Sequence, residues 1–162
     1  LRNNSYMCNL KYKSYDYILR MKPNELLPLK HKNGWTLSSI GNIVHGILSS
    51  IGYKPKDFYD ICPYFEIGQN WGGLSLGWFF ICAKDSSESL KCHEVGHTLQ
   101  NANIGGWRML ALSLGSVARY WYRAIFGAKT PYDAWWFEGQ ATELGTKYVQ
   151  IRKSELQKEN TK

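Results

Sequence analysis

The chain has 162 residues, enough for one domain with a modest core, and its 44% hydrophobic and 20% charged residues exclude a disordered chain. Its net charge of +7 favours anionic surfaces, but the basic residues are spread without a recognisable binding motif, so we expect no nucleic-acid partner. The four cysteines, Cys8, Cys62, Cys82 and Cys92, are too irregularly spaced for a disulfide scaffold or a C-x-x-C zinc site.

The N-terminal region lacks a signal-sequence pattern, because charged residues interrupt its first apolar stretch. The chain begins at Leu1 rather than at Met, which is compatible with loss of an upstream segment, so the compartment stays open. No apolar run reaches the roughly 20 residues that a spanning helix needs. The most apolar stretch, 105–127, carries three arginines, and we therefore expect no integral membrane span.

The predicted elements begin after a polar region, 1–34, that is broken by prolines and ends in an Asn-Gly turn. Apolar residues at helical spacing predict an amphipathic helix over 37–51, with Gly52 as its C-terminal cap. Two extended segments, 64–67 and 74–82, follow with glycines between them. Their composition and alternation predict a β-hairpin, so the expected sheet is antiparallel.

Three helices are predicted in the second half of the chain. Asp85 and Glu88 have capping-box spacing, so a helix should begin there and run to the Gly-Gly pair that follows. A second helix is expected over 107–126, and a third opens at Thr130-Pro131, where a capping residue precedes proline. These elements predict an α+β fold in a single domain, in which a small antiparallel sheet packs beside two helices.

A His-Glu-x-x-His motif, formed by His93, Glu94 and His97, lies inside the first of these three helices. Residues four apart on a helix are separated by slightly more than one turn, so the two imidazoles project from the same face, about 40° apart around the helix axis. Both can therefore reach one tetrahedral Zn²⁺. Glu94 points to the side of such an ion, where it could take a proton from a water that zinc has acidified. The motif predicts a zinc site with Glu94 as general base.

A catalytic zinc site needs a third protein ligand and one open position. The metzincin pattern would place glycine and histidine where this chain has Gln100 and Asn103, so that pattern is excluded. Glu138 lies among apolar residues near the start of the last predicted helix, where a buried carboxylate requires a cationic partner. We expect Glu138 to be the third ligand, with Glu143 on the same helix as the alternative.

The combination of His-Glu-x-x-His with a downstream helical glutamate resembles the gluzincin class of zinc metallopeptidases, a thermolysin-like architecture reduced to a minimal domain. The segments 76–80, 97–100 and 136–145 are similar to small bacterial and phage-associated proteins of that class. The likeness covers about 70–150, which would be the catalytic core of a domain that spans residues 1–162.

The resemblance implies a role for each residue of the motif. His93, His97 and Glu138 would hold Zn²⁺, and Glu94 would be the general base. In such enzymes the extended segment before the metal-binding helix is an edge strand that binds substrate backbone by strand addition. Here that strand would be about 73–82.

Two further parts of such a site stay open. Many gluzincins carry an aspartate four residues after the ligand glutamate, which orients a ligating histidine, whereas this chain has Thr142 there. A donor that stabilises the transition state is also needed. Chemistry alone offers Tyr120, Tyr122, Tyr132 and His45, although packing or surface roles are the more ordinary explanation for each, as for His31.

The sequence therefore predicts zinc-dependent hydrolysis of peptide bonds. The partner would be a protein, a short peptide or the peptide stem of bacterial cell wall, and the positive charge favours the last weakly. The alternative is a structural or binding protein in which zinc cross-links two helices with little or no turnover. A basic membrane-surface module built on 107–126 is a third interpretation. The oligomeric state is not predicted.

Overall fold

The computed structural model describes residues 35–104, 106–127 and 135–161. These residues form four helices and one four-stranded sheet, which confirms the α+β class. In chain order the elements are α1 (Trp35–Ser50), β1 (Lys56–Phe58), β2 (Cys62–Glu66), β3 (Gly73–Ser75), β4 (Phe80–Cys82), α2 (Glu88–Ile104), α3 (Gly106–Phe126) and α4 (Trp136–Glu159). The N-terminal region 1–34 and the predicted helix start at Thr130-Pro131 lie outside the described residues.

The sheet is mixed, so the prediction of a purely antiparallel sheet is wrong. Its strand order is β1-β2-β4-β3, in which β2 and β4 run parallel and both outer pairs run antiparallel. The predicted strand 74–82 is divided by a tight turn in which the N–H of Leu76 donates to the carbonyl of Phe79. Gly77 adopts a φ of 89° in this turn, a left-handed conformation that glycine tolerates well. The hairpin therefore joins β3 to β4, and β3 is left at the edge of the sheet.

Hydrophobic side chains cover both faces of the sheet. One face packs against α2 and α4, and α1 packs against the other, so the sheet lies between helical layers. The first cluster contains Phe58, Ile61, Cys62, Tyr64, Phe80, Cys82, Cys92, Val95, Leu99, Leu144, Tyr148 and Val149. The second contains Leu48, Phe65, Leu76, Phe79 and Ile81. Cys62, Cys82 and Cys92 are buried free thiols.

Helices α2 and α4 approach each other closely because two glycines lie at their crossing. A Cβ atom on Gly96 would lie 1.9 Å from the carbonyl oxygen of Ala141, and one on Gly145 would lie 1.8 Å from that of Cys92. Neither position has room for a side chain, so backbone rests directly on backbone. This contact brings the first turn of α4 beside the middle of α2.

The helix ends follow local sequence signals. At the end of α1, Gly52 has a φ of 95°, and the N–H groups of Gly52 and Tyr53 donate to the carbonyls of Ser49 and Leu48, as predicted for a glycine cap. At the start of α2, the prediction that Asp85 caps the helix is wrong. Its carboxylate accepts a hydrogen bond from the N–H of Asn70, and the hydroxyl of Ser87 caps the helix instead.

Helix α3 is continuous over its whole length. Within the described parts of the chain, no helix combines the length and the apolar character that crossing a bilayer would require.

Candidate metal centre

Three side chains converge where α4 crosses α2. His93 and His97 project from α2, and Glu138 lies in the first turn of α4. The two Nε2 atoms lie 3.1 Å apart, and each also lies 3.1 Å from Oε2 of Glu138. These three atoms form an equilateral triangle. A tetrahedral ion with bonds of about 2.0–2.1 Å separates neighbouring ligand atoms by about 3.3–3.4 Å, so the triangle has nearly the size that such an ion needs.

The imidazole of His93 is oriented by the same helix that supplies the glutamate. Its Nδ1 atom lies 2.8 Å from Oγ1 of Thr142, one turn after Glu138. The hydroxyl of Thr142 donates in turn to the carbonyl of Glu138, at 3.3 Å. The hydroxyl oxygen therefore accepts a hydrogen bond from Nδ1 of His93, and the lone pair of the ring is on Nε2.

The imidazole of His97 is fixed in the same tautomer by Gln100. Its Nδ1 atom lies 2.8 Å from the amide oxygen of Gln100. The amide nitrogen of Gln100 donates to the carbonyl of Phe137 and to the side-chain oxygen of Gln140, which assigns the amide orientation. Because the oxygen of Gln100 can only accept, Nδ1 of His97 must donate, and Nε2 carries the lone pair.

Glu138 is fully buried, and a second helix binds its other oxygen. Ser116 on α3 donates a short hydrogen bond to Oε1, so Oε2 alone faces the two imidazoles. Burial raises the pKa of the Glu138 carboxyl, but a proton on Nε2 of either imidazole would donate to Oε2, and this interaction outweighs burial and holds the pKa of Glu138 well below its ordinary value. Glu138 is therefore a carboxylate at neutral pH.

The donor set suits a divalent cation. Two neutral imidazoles present lone pairs at Nε2 beside a carboxylate oxygen, an arrangement that is unfavourable unless a cation lies among them. Burial lowers the pKa of His97, but a proton on its Nε2 atom would be held by a hydrogen bond to Glu138 and by the charges of Glu94 and Glu138, and these effects outweigh burial and raise the pKa. The group can thus attract a proton or a metal ion. Its two nitrogens, one oxygen and spacing fit a metal ion well.

Glu94 lies beside this group without belonging to it. Its carboxylate accepts a hydrogen bond from the backbone N–H of Ser75 on β3 and packs against Gly73, where a Cβ atom would lie 2.6 Å from Oε1. The second oxygen, Oε2, is buried without a hydrogen-bond partner among the described protein atoms. Burial raises the pKa of Glu94, although the two imidazoles partly oppose this. Glu94 is therefore a buried carboxyl group beside the two imidazoles, with one oxygen that can take a further hydrogen bond.

A cleft of about 860 Å³ leads to the group. Its two sides are the edge strand β3, preceded by Trp71, and helix α3, which contributes Val117 and Tyr120. His93, Glu94 and His97 also line it. The lining is mainly apolar, which is typical of sites that bind organic ligands.

The other predicted site residues have different positions. Glu143 is exposed on α4 and forms an ion pair with Lys147 at 3.0 Å, so the structure offers only Glu138 of the two carboxylates to the histidines. Tyr120 lines the cleft, whereas Tyr122 is exposed outside it. His45 packs in an aromatic cluster with Phe65, Trp78 and Phe79, on the α1 side of the sheet. Tyr132 and His31 lie outside the described residues.

Sequence reasoning missed three supporting residues. Gln100 lies three residues after His97 on the same helix, so helical spacing could have identified it. Ser116 and Gly73 approach from separate elements, and no local pattern signals their contacts with Glu138 and Glu94. Comparisons of the chain with protein-family models, with curated proteins and with solved structures gave no match.

Proposed function

We propose that this protein is a zinc-dependent peptide hydrolase of the gluzincin type. The observation that carries the proposal is the position of Glu94, a buried carboxylate with one unpartnered oxygen, beside a group of two imidazoles and a carboxylate in the wall of a cleft. A purely structural metal site has no need of a free carboxylate at this place. A hydrolytic site needs one, because water must lose a proton as it attacks a carbonyl.

His93, His97 and Glu138 would hold the ion and leave its fourth position open toward the cleft. A His₂Glu donor set of this kind is found in catalytic zinc sites. Zinc bound there would supply acidified water and polarisation of the substrate carbonyl. The protein's own contribution is to accept the proton on Oε2 of Glu94 and later to return it to the leaving amine.

Strand β3 offers backbone groups to an extended peptide. Its pairing with β4 uses the N–H and carbonyl of Leu74, so alternation directs those of Gly73 and Ser75 away from the sheet. The N–H of Ser75 is already bonded to Glu94. The groups that remain for a peptide are both backbone groups of Gly73 and the carbonyl of Ser75. Strand addition there would place a peptide bond alongside Glu94.

The substrate class that follows is an extended peptide segment with apolar side chains. Apolar residues on both sides of the cleft, including Leu74, Leu90 and Val117, would accept such side chains. A protein, a short peptide or the peptide stem of cell wall could each present a segment of this kind.

The decisive experiment compares Glu94→Gln with the unaltered protein. Zinc content is measured by elemental analysis, and cleavage of a peptide library is followed with and without a chelator. We expect bound zinc in both proteins, chelator-sensitive cleavage only in the unaltered one, and a rate at least about a hundredfold lower in the variant. Glu143→Gln, an exposed glutamate on α4, is the matched control and should cleave normally.

The results separate the interpretations. Zinc in the protein with no cleavage of any peptide would favour the structural or binding alternative, in which the metal joins α2 and α4. Cleavage that survives Glu94→Gln would reject the base assignment. A protein that binds no zinc would reject the metal centre itself.

A further inference from the structure

Helix α3 carries a continuous line of exposed apolar residues. A large side chain recurs on it every seven residues, and an alanine or isoleucine lies four residues after each. All of these residues are exposed, and the four large aromatic and aliphatic ones are 59% to 73% exposed. A contiguous apolar patch of this kind marks an interaction surface. We call it the α3 seam, and it consists of Trp107, Ala111, Leu114, Ala118, Trp121 and Ile125.

The spacing of the α3 seam is that of a helix that packs against another helix. Its intervals alternate between four and three residues, which is the apolar repeat of a coiled coil. At 100° per residue the six positions lie within about 80° of one another around the helix axis, and they span about 27 Å along it. Met109 and Ser116, on the opposite side of α3, are buried. The three arginines of α3 lie about 100–160° from the centre of the seam, so the seam itself is uncharged.

Side-chain size along the α3 seam matches a reversed copy of the same seam. An antiparallel copy, related by a two-fold axis level with residue 116, pairs all six residues in layers. Two of the layers set a large side chain against an alanine, so neighbouring layers interdigitate without a clash or a void. A parallel copy would instead set tryptophan against tryptophan and alanine against alanine. The antiparallel pairs are Trp107 with the partner subunit's Ile125, Trp121 with the partner subunit's Ala111, and Leu114 with the partner subunit's Ala118.

We propose that this protein forms an antiparallel, two-fold symmetric dimer through the α3 seam. A buried aromatic side chain removes about 150–250 Å² from water, so the two tryptophans, 73% and 59% exposed, account for about 250 Å² in each copy. Leu114 and Ile125 raise the total for the pair to roughly 1,000 Å², the lower limit of specific interfaces. The dimer should therefore be weak, and its population should depend on protein concentration.

Dimerisation would place the second copy at the mouth of the cleft. Trp121 belongs to the α3 seam and also lines the cleft. It would pack against the partner subunit's Ala111, so the partner's helix would border the opening through which a peptide enters. This consequence for substrates rests on the proposed function, whereas dimerisation itself requires neither zinc nor hydrolysis.

The test is sedimentation equilibrium of the full-length protein between about 1 µM and about 500 µM, a range that covers weak specific interfaces. We expect an equilibrium between monomer and dimer. Leu114→Glu should dimerise at least about tenfold more weakly, because it buries carboxylates among apolar side chains at the two-fold axis. The matched control is Ile43→Glu on α1, where the isoleucine is 65% exposed, and it should dimerise like the unaltered protein.

An exchange of side-chain size tests the register. Leu114→Ala leaves a gap and Ala118→Leu sets two leucines in one layer, so each should weaken dimerisation by at least about fivefold. The double variant Leu114→Ala/Ala118→Leu restores a large residue against a small one, and it should dimerise within about threefold of the unaltered protein. Both residues are exposed and neither lines the cleft, so thermal unfolding of the monomer should not change.

The outcomes decide the proposal. A monomer at every concentration would overturn it, whether the region 1–34 or a lipid bilayer covers the α3 seam instead. An unaltered dimer in Leu114→Glu, or equal loss in Ile43→Glu, would overturn the assignment to α3. Tighter association in Ala118→Leu would overturn the antiparallel register, because added apolar surface strengthens a pairing in which residue 118 does not face Leu114. Weakening by each single exchange, with recovery in the double variant, would establish the dimer.

Discussion

The Nδ1 atom of His93 lies 2.8 Å from Oγ1 of Thr142, and Thr142 lies four residues after Glu138 on α4. One face of a single helix turn therefore supplies both the carboxylate that meets the two imidazoles and the hydroxyl that fixes the tautomer of one of them. In the proposed gluzincin-type site, this threonine stands where many gluzincins carry an aspartate. A neutral hydroxyl can accept the same hydrogen bond, although it adds no negative charge behind the ring.

We expect Thr142→Val to weaken zinc binding by about tenfold to a hundredfold, because the variant keeps the shape of the side chain but cannot accept from Nδ1 of His93. The affinity is measured by competition with a chromophoric chelator at fixed pH. Thr142→Ser keeps the hydroxyl and should bind zinc nearly as the unaltered protein does. Equal affinities in the two variants would show that this hydrogen bond does not orient His93.

Ser116 links α3 to the candidate metal centre. Its hydroxyl donates to Oε1 of the fully buried Glu138. In Ser116→Ala that oxygen loses this donor, and we expect the free energy of unfolding of the metal-free protein to fall by about 1–3 kcal/mol. Urea denaturation measures the change. Ser113→Ala, one turn earlier on α3 and also lining the cleft, is the control and should change stability by less than about 0.5 kcal/mol.

The sequence predicts the histidine pair well because their proximity is a local property of a helix. His93 and His97 share a face wherever the helix exists, and the structure places the helix over Glu88–Ile104. The choice of Glu138 over Glu143 rested on neighbouring apolar and small residues. The structure agrees with it, since Glu138 is buried and Glu143 is exposed.

Other features depend on contacts between distant segments. The alternation of apolar residues over 74–82 continues across the turn at Gly77, so the sequence predicts a single strand there. The strands on either side of the turn have three residues each, and alternation over so few residues does not reveal where one ends and the next begins. The parallel pairing of β2 with β4 follows from that turn. Likewise, the sequence does not show why residue 96 is a glycine. The reason lies in the crossing of α2 and α4, where the second helix leaves no room for a side chain.

We expect Gly96→Ala to destabilise the fold by at least about 3 kcal/mol. The added Cβ would lie 1.9 Å from the carbonyl oxygen of Ala141 and 2.5 Å from its carbonyl carbon, and backbone atoms cannot rotate away as a side chain does. The helices must separate, which moves Glu138 away from His93. Thermal and urea unfolding measure the loss of stability, and chelator competition measures the accompanying loss of zinc affinity.

Gly46→Ala is the matched control for that substitution. Gly46 also lies inside a helix, but a Cβ there would meet nothing within 4 Å. Alanine is the better helix former, so this variant should be as stable as the unaltered protein or more stable by up to about 1 kcal/mol. If Gly96→Ala behaved in the same way, the contact between α2 and α4 would not require glycine.

Gly73 on the edge strand packs against Glu94, the proposed general base. A Cβ on Gly73 would lie 2.6 Å from Oε1 of Glu94 and 2.8 Å from its Cγ and Cδ atoms, so the whole end of the side chain must move. We therefore expect Gly73→Ala to lower chelator-sensitive peptide cleavage by at least about tenfold, because a displaced carboxylate no longer meets the water proton. Zinc affinity should stay unchanged, since the three atoms nearest to the added Cβ all belong to Glu94, which is not one of the proposed ligands.

The neighbouring glycine makes the comparison specific. A Cβ on Gly72 would meet nothing within 4 Å, so Gly72→Ala should cleave peptides at the unaltered rate although it changes the same backbone segment. Equal loss of cleavage in both variants would point to a change in strand flexibility. Full activity in Gly73→Ala would mean that Glu94 can shift without cost, which conflicts with its burial and with its bond to Ser75. Reduced cleavage in Gly73→Ala alone, at constant zinc content, would identify the strand as the element that holds the base in place.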